Sequence, residues 1–287
     1  MDVGIQISSF NWSGSPENTG VKLAEIARTA DEVGFASIWT MDHFFQSGFL
    51  GPAEDPMLEA YSSLSFLAAV TRRAKLGTMV TGVIYRNPGV LIKTMTTLDV
   101  LSGGRAYLGI GAASHERESL AMGTGFPPLK ERFERLEEAL QIAHQMWSDN
   151  NGAYEGKHYQ LAETLNQPQP LSKPHPPIIV GGMGEKKTLR LVAKYADGCN
   201  FFSQAGEQTM RQKLDTLKRY CDELERPYEQ IERTAMVMPS SPKQFIEQCR
   251  SLAQMGIQHV IVAFRNAHEL TPIEAYGREV IPAVAEF

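Results

Sequence analysis

Short apolar runs alternate with longer segments of helical periodicity along nearly the whole chain. The apolar runs predict eight strands, at Val3–Ser8, Ala36–Met41, Lys75–Thr81, Ala106–Ile110, Ile178–Val180, Gly198–Phe202, Ile231–Met238 and His259–Ala263. Apolar residues three and four positions apart predict helices at Thr19–Val33, Tyr61–Thr71, Pro88–Leu101, Lys130–Trp147, Glu185–Tyr195, Gln208–Leu224, Pro242–Met255 and Pro272–Val284. The pattern is therefore one strand followed by one helix, repeated to the end of the chain.

Repeated strand–helix units predict a parallel α/β sheet whose crossovers are right-handed. Eight units without a break in composition favour a closed (β/α)8 TIM barrel, and an open doubly wound sheet is the alternative. A proline-rich segment at about 150–177 interrupts the alternation, and we interpret it as an insertion with one hairpin around Tyr154–Tyr159. We expect residues 1–287 to form a single domain.

Composition narrows the classes of protein to consider. Hydrophobic residues make up 43% of the chain and charged residues 21%, with a formal net charge of -5. No stretch is strongly basic, which argues against a nucleic-acid partner, and no apolar run is long enough to span a membrane. The three cysteines lack CxxC spacing, and the N-terminal segment has no pattern of a secretory signal. We therefore expect a cytoplasmic protein that acts on a small molecule.

Two turns at predicted strand ends consist of small residues and lead into helices. In a barrel the active site lies at the carboxyl ends of the strands. Small residues let backbone N–H groups approach an anion, and a helix N-terminus adds partial positive charge. The two turns predict a phosphate site, although the same glycines also suit tight strand–helix turns. The candidate residues are Gly111, Ala112, Ala113, Ser114, Gly181, Gly182, Met183 and Gly184.

Asp42 and His43 directly follow a predicted strand and are candidate catalytic residues. A histidine at the mouth of a barrel can exchange a proton near neutral pH, although a structural histidine bonded to backbone is the alternative. We expect Asp42 to orient His43 or to balance its charge. No metal site is predicted, because His115 and Glu116 are not followed by a histidine at HExxH spacing. Aromatic residues expected near the mouth, suited to a flat ring, are Trp12, Phe44, Phe45, Phe49 and Tyr85.

Several segments resemble those of the bacterial luciferase-like superfamily. The most specific is the run Thr96–Arg105, which contains Leu-Ser-Gly-Gly-Arg and is followed by Leu-Gly-Ile-Gly. Further similar segments are Phe35–Trp39 with Asp42-His43, Pro56–Tyr61, Leu76–Thr78, Thr81–Pro88 and Ala196–Gly198. The similarity is strongest to the branch of oxidoreductases that depend on coenzyme F420, a deazaflavin.

The resemblance implies a barrel with its cofactor in the mouth. It implies a non-proline cis peptide between Met79 and Val80, whose bulge, together with Thr81, contacts the central ring of the cofactor. It also implies that the cofactor phosphate lies against the two small-residue turns and that His43 lies near the reactive ring. A homodimer is expected on the same grounds.

These observations lead to the hypothesis of a hydride transfer between F420 and a small organic substrate, with His43 exchanging a proton. One position departs from the sugar-phosphate dehydrogenases of this branch, since Ser114 stands about where those enzymes carry a glutamate acid. An FMN-dependent monooxygenase that uses reduced flavin and oxygen is the first alternative. A non-catalytic flavin or deazaflavin carrier is the second. An aldolase-like barrel ranks below both, because no lysine is predicted at a strand end.

Overall fold

A closed barrel of parallel strands forms the centre of the molecule in the computed structural model, which describes all 287 residues. The strands are β1 (Asp2–Ile7), β2 (Ser37–Thr40), β3 (Lys75–Thr78), β4 (Thr81–Gly82), β5 (Ala106–Gly111), β6 (Tyr154–Glu155), β7 (Gln160–Leu161), β8 (Ile178–Gly181), β9 (Gly198–Phe202), β10 (Glu232–Val237) and β11 (His259–Phe264). β6 and β7 form the predicted hairpin of the insertion, and the other strands belong to the barrel.

Helices surround the barrel. They are α1 (Thr19–Val33), α2 (Ala60–Val70), α3 (Pro88–Ser102), α4 (Glu116–Ala121), α5 (Leu129–Met146), α6 (Thr188–Tyr195), α7 (Glu207–Glu223), α8 (Pro242–Gln254), α9 (Thr271–Ala275) and α10 (Ile281–Val284). The last two are joined by a π-helical turn at Tyr276–Val280, where a single helix was predicted. None of the helices has the length and apolar character needed to span a membrane.

Pairing between β3 and β5 closes the sheet. Leu76 pairs with Ala106 and Gly77 with Tyr107, which joins the two ends of an otherwise continuous parallel order. An open doubly wound sheet has no such pairing, so that alternative is wrong and the (β/α)8 barrel is confirmed. The predicted strand Lys75–Thr81 is broken after Thr78 and resumes at Thr81, and this break lies at the carboxyl end of the barrel.

Apolar packing fills the space between barrel and helices. A cluster of 61 buried residues runs from Val3 to Val284. Inside the barrel, Trp39 packs with Ile179 and Ile261. The predicted helix bounds agree with the observed ones to within one or two residues for most elements, because each helix buries one continuous apolar stripe. Cys199, Cys221 and Cys249 are buried and unpaired.

Candidate active site

A cavity of about 490 Å³ opens at the carboxyl ends of the barrel strands. This volume lies within the range of small-molecule sites. The predicted cofactor residues that line it are His43, Met79, Val80, Thr81, Gly111, Ala112, Ala113, Ser114, Gly181 and Gly182. Met183 and Gly184 do not line it. The sulfur of Met183 instead accepts a hydrogen bond from the backbone N–H of Phe202 at 3.2 Å.

The break between β3 and β4 forms one wall of the cavity. The peptide bond between Met79 and Val80 is cis, as the family resemblance implied. The carbonyl oxygen of Met79 accepts a hydrogen bond from Nε2 of the buried Gln6 at 3.2 Å. Across the break, the hydroxyl groups of Thr78 and Thr81 form a hydrogen bond of 2.9 Å. The main chain on both sides of Val80 is thus held by buried hydrogen bonds.

Glycines on the neighbouring strands make room for this wall. A Cβ atom at Gly109 would lie 1.7 Å from the carbonyl oxygen of Thr78, and one at Gly181 would lie 2.7 Å from Cγ1 of Val80. Neither distance is compatible with a side chain. Gly181 was predicted as a phosphate contact. The structure shows that a glycine is also required at this position because the side chain of Val80 occupies the space beside it.

In both small-residue turns, several backbone N–H groups donate no hydrogen bond to the backbone of the surrounding turns and loops. They are the N–H groups of Ala112, Ala113, Ser114, Gly182, Met183 and Gly184. The two turns follow β8 and β5, which pair with each other, so they lie side by side at one end of the barrel. Free N–H groups in adjacent turns are well suited to bind an anion.

Arg132 fixes the orientation of the first turn. Its guanidinium group donates hydrogen bonds to the carbonyl oxygens of Ala112 and Ala113 and to that of Pro127. In a trans peptide the N–H points opposite to the C=O. Holding these carbonyls therefore turns the N–H groups of Ala113 and Ser114 away from the positive charge of Arg132.

His43 is held by a carboxylate that the sequence did not indicate. Oε1 of Glu118 lies 2.7 Å from Nδ1 of His43 and also accepts a hydrogen bond from the hydroxyl of Tyr85. Its second oxygen, Oε2, accepts a hydrogen bond from the backbone N–H of Phe44 at 3.0 Å. Glu118 lies on the short helix α4 and is 3% exposed. The carboxylate, held by Tyr85 and by the N–H of Phe44, fixes the position of the imidazole ring.

The ionisation of Glu118 decides which ring nitrogen of His43 is free. Burial opposes ionisation, but the hydrogen bonds from His43 and Tyr85 outweigh it and lower the pKa of Glu118 to about 2. The carboxylate is therefore ionised near neutral pH and accepts a hydrogen bond from Nδ1–H. In the neutral ring, Nε2 then carries a lone pair. Nε2 makes no hydrogen bond within the protein, so it is available to a substrate.

Asp42 does not orient His43, and this part of the sequence interpretation is corrected. Its carboxylate accepts two hydrogen bonds from Arg86, at 2.6 and 3.0 Å. Arg86 also pairs with Glu59, which caps the N-terminus of α2. Burial raises the pKa of Asp42, and the ion pair with Arg86 offsets this only in part.

The matching family is identified by comparison with known sequences. Residues 1–280 match the model of the family described as luciferase-like monooxygenase. The chain belongs to this luciferase-like family. A relative from Kineococcus radiotolerans, named F420-dependent glucose-6-phosphate dehydrogenase, is 33% identical over 243 residues. These residues cover 82% of this chain and 69% of that relative.

Two further comparisons agree with the family assignment. A protein of the same name from Amycolatopsis mediterranei is 31% identical over 233 residues, which cover 78% of this chain. The chain thereby spans 66% of that relative, just under two thirds of its length. An F420-dependent secondary alcohol dehydrogenase, solved in complex with an F420–acetone adduct, matches with a TM-score of 0.82 and 17% identity. That match covers 99% of this chain and 98% of the other, and it shows a shared luciferase-like fold.

Sequence reasoning missed Glu118 and Arg132, and most of the aromatic residues expected near the mouth do not line the cavity. Of those expected near the mouth only Tyr85 lines the cavity, while Trp12 is buried in the core and Phe49 is exposed. No metal site was predicted from spacing, yet ligand atoms of His43, His115 and Glu118 lie within 4.8 Å of one another.

Proposed function

We propose that this chain is an F420-dependent oxidoreductase, acting as one domain, that moves a hydride between the deazaflavin ring and a small organic substrate. The observation that carries the proposal is the free Nε2 of His43, held by Glu118 on the wall of the cavity. The same cavity is lined by two turns whose N–H groups have no acceptor in the surrounding loops. A candidate proton acceptor and free N–H groups suited to an anion thus share one pocket.

The residues present fit such a cofactor. The cavity wall at Val80, Gly111 and Gly181 is backbone and small side chains, which suits the face of a flat ring. Ala113 and Gly182, both at positive φ, belong to the turns that would hold the phosphate. The two named relatives, both F420-dependent, support deazaflavin over flavin. When bound, the deazaflavin ring would accept or donate the hydride.

His43 supplies the proton partner. With Nδ1–H bonded to Glu118, Nε2 accepts the hydroxyl proton of an alcohol as a hydride leaves the carbon that bears this hydroxyl. In the reverse direction Nε2 returns the proton to the carbonyl oxygen. Glu118 stabilises the imidazolium ion formed in this step. Tyr85 and the N–H of Phe44 hold Glu118 in place, so the ring is oriented before the substrate binds.

We propose an uncharged alcohol or carbonyl compound as the substrate. Ser114 stands about where sugar-phosphate dehydrogenases of this branch carry a glutamate acid, which argues against their mechanism here. The two arginines on one side of the mouth are already paired, since Arg86 binds Asp42 and Glu59, and Arg135 binds Glu131. A phosphorylated sugar bound beside them would have to displace one of these carboxylates.

The substitution His43→Ala tests the assignment. Bleaching of oxidised F420 in a panel of primary and secondary alcohols first identifies a substrate for the native protein. We expect His43→Ala to lower the hydride-transfer rate about 100- to 10,000-fold, because a positioned general base contributes that much. The dissociation constant for F420 should change only a few-fold. His175→Gln, at the opposite end of the barrel, serves as the control and should keep full activity.

Other outcomes would select the alternatives. Full turnover by His43→Ala would remove histidine from the mechanism. Tighter binding of FMN than of F420 would favour the flavin monooxygenase, and F420 binding without turnover across alcohols, aldehydes and enones would favour a carrier. We also expect a homodimer, which sedimentation velocity measures directly.

A further inference from the structure

Two histidines and one carboxylate meet beside the mouth of the barrel. One ligand atom from each of His43, His115 and Glu118 lies within 4.8 Å of the other two. The rings of His43 and His115 lie edge to face, with their centres 4.3 Å apart. The proposed hydride transfer uses His43 and Glu118 but gives His115 no role. We call these three residues the histidine cluster.

The ligand types in the histidine cluster are those of a transition-metal site. Two histidines and one glutamate are the protein ligands of one class of zinc sites, with water in the fourth position. Imidazole suits zinc, copper and nickel, whereas magnesium and calcium prefer oxygen ligands. Ligand atoms around a tetrahedral zinc ion lie about 3.3 Å apart, because each is about 2.1 Å from the metal. From the observed spacing of at most 4.8 Å, side-chain movements of about 1 Å reach this geometry.

Hydrogen bonds on the far side of the ligands hold them in place. Nδ1 of His115 forms a hydrogen bond of 3.0 Å with the hydroxyl of Ser114, and Nε2 of the same ring makes none within the protein. Glu118 accepts hydrogen bonds from the hydroxyl of Tyr85 and from the backbone N–H of Phe44. Partners of this kind orient the ligands of metal sites. A metal ion would therefore meet side chains that are already oriented.

A second cavity, of about 640 Å³, connects the histidine cluster with solvent. His115 lines both this cavity and the cavity of the candidate active site, and Glu118 lines the second cavity. The second cavity also carries the carboxylates of Glu54 and Glu116 against a single cation, Arg117. Its charge is therefore negative, and it attracts cations toward the cluster.

We propose that His43, His115 and Glu118 bind a divalent transition-metal ion, represented by zinc, and that the bound ion inhibits hydride transfer. The binding follows from the cluster alone, whereas the inhibition rests on the proposed function. A metal bound to Nε2 of His43 leaves no lone pair for the proton of the substrate. A metal bound to Nδ1 displaces the proton shared with Glu118, and the neutral ring then carries its proton on Nε2. In both cases His43 stops acting as a proton acceptor.

Calorimetric titration with zinc chloride tests the site on the full chain after treatment with a chelator. We expect the native chain to bind a single zinc ion. His115→Gln should bind it at least about tenfold more weakly, because even the loss of an outer partner of a ligand has an effect of that size. Equal affinity of His115→Gln and the native chain would overturn the metal site.

Three controls accompany the titration. His115→Cys replaces one zinc ligand by another and should retain zinc binding, which separates the loss of a ligand from a failure to fold. His175→Gln removes a histidine at the opposite end of the barrel and should bind zinc as the native chain does. Magnesium chloride should not displace zinc, since its preferred ligands are oxygen atoms.

The inhibition is measured as the rate of hydride transfer with zinc added stepwise. Zinc should stop turnover by the native chain, and the chelator should restore it. Each variant is compared with its own rate in chelator. His115→Gln should require at least about tenfold more zinc for half inhibition. Zinc bound at the cluster with no effect on the rate would overturn the inhibition.

The two measurements separate this inference from the proposed function. F420 turnover by a native chain that binds no zinc overturns the metal site and leaves the proposed function intact. Zinc binding that depends on His115, in a chain that reduces F420 with no substrate, supports the metal site and overturns the proposed function.

Discussion

Asp42 and His43 are neighbours in the chain, yet they belong to two different polar networks. Asp42 is 2% exposed and lies in a network with Arg86 and Glu59. The side chain of His43 is 20% exposed and shares the carboxylate of Glu118 with Tyr85. A second pair of neighbours, Tyr85 and Arg86, supplies one member to each network.

One strand end thus contributes both to a fully paired buried network and to a histidine with a free ring nitrogen. In the Asp42 network both carboxylates are paired with Arg86. In the His43 network one ring nitrogen is bonded and the other is free. Removing one partner of a buried ion pair lowers the stability of the fold strongly. A histidine with one ring nitrogen free can exchange a proton. The predictions below test this division of roles.

The largest effect is expected from Arg86→Met, which leaves the buried carboxylate of Asp42 unpaired. We expect the free energy of unfolding to fall by about 3–5 kcal/mol, as it does when one partner of a buried ion pair is removed. Urea denaturation measures the change. The double variant Arg86→Met, Asp42→Asn should recover part of the loss. A single variant as stable as the native chain would show that this network does not stabilise the fold.

An intermediate effect is expected from acid pH through Glu118. Its folded pKa is lowered from 4.5 to about 2, so its contribution to stability is fully present above about pH 4.5 and is lost as the pH falls toward 2. The loss should reach about 3 kcal/mol and should be absent in Glu118→Gln.

The exposed neighbour Glu116 provides the matched control for that measurement. Glu116→Gln should keep the acid-dependent slope of the native chain in urea denaturation at a series of pH values. If Glu118→Gln and the native chain lost stability in parallel below pH 4.5, the carboxylate would not be held by His43 and Tyr85 as described.

The smallest effect is expected from Tyr85→Phe, which removes one donor to Glu118. A hydrogen bond to a charged group contributes about 2 kcal/mol to stability. Since this bond also helps to lower the pKa of Glu118, the folded pKa is higher in the variant, so the acid-dependent loss should be smaller and should be complete at a higher pH. Tyr220→Phe, whose hydroxyl makes no hydrogen bond within the protein, is the control. Identical acid profiles for Tyr85→Phe and the native chain would contradict the contact.

Periodicity in the sequence was sufficient to predict the barrel. Each long helix, such as α5, presents several turns of the same apolar stripe, and each strand is a compact apolar run. The turns after β5 and β8 could be predicted because strand ends meet at one rim in this fold. These features can be predicted from the sequence because they depend on residues that are close together in the chain.

Partners brought together by tertiary packing could not be predicted. Helix α4 has six residues, too few to show a helical period, so Glu118 was not singled out. Asp42 was assigned to His43 because the two are adjacent in sequence, whereas its partner Arg86 lies 44 positions away. Met183 belongs to the predicted turn, but its sulfur contacts the backbone N–H of Phe202 and its side chain does not line the cavity.

The absence of side chains at Gly109 and Gly181 limits how this pocket can evolve. Main-chain atoms of Thr78 and the side chain of Val80 already fill the space a larger residue would need. Mutation therefore has little means of reshaping that wall for a different ring. The replaceable side chains lie elsewhere in the lining, for example at Leu129, Phe202 and Met236.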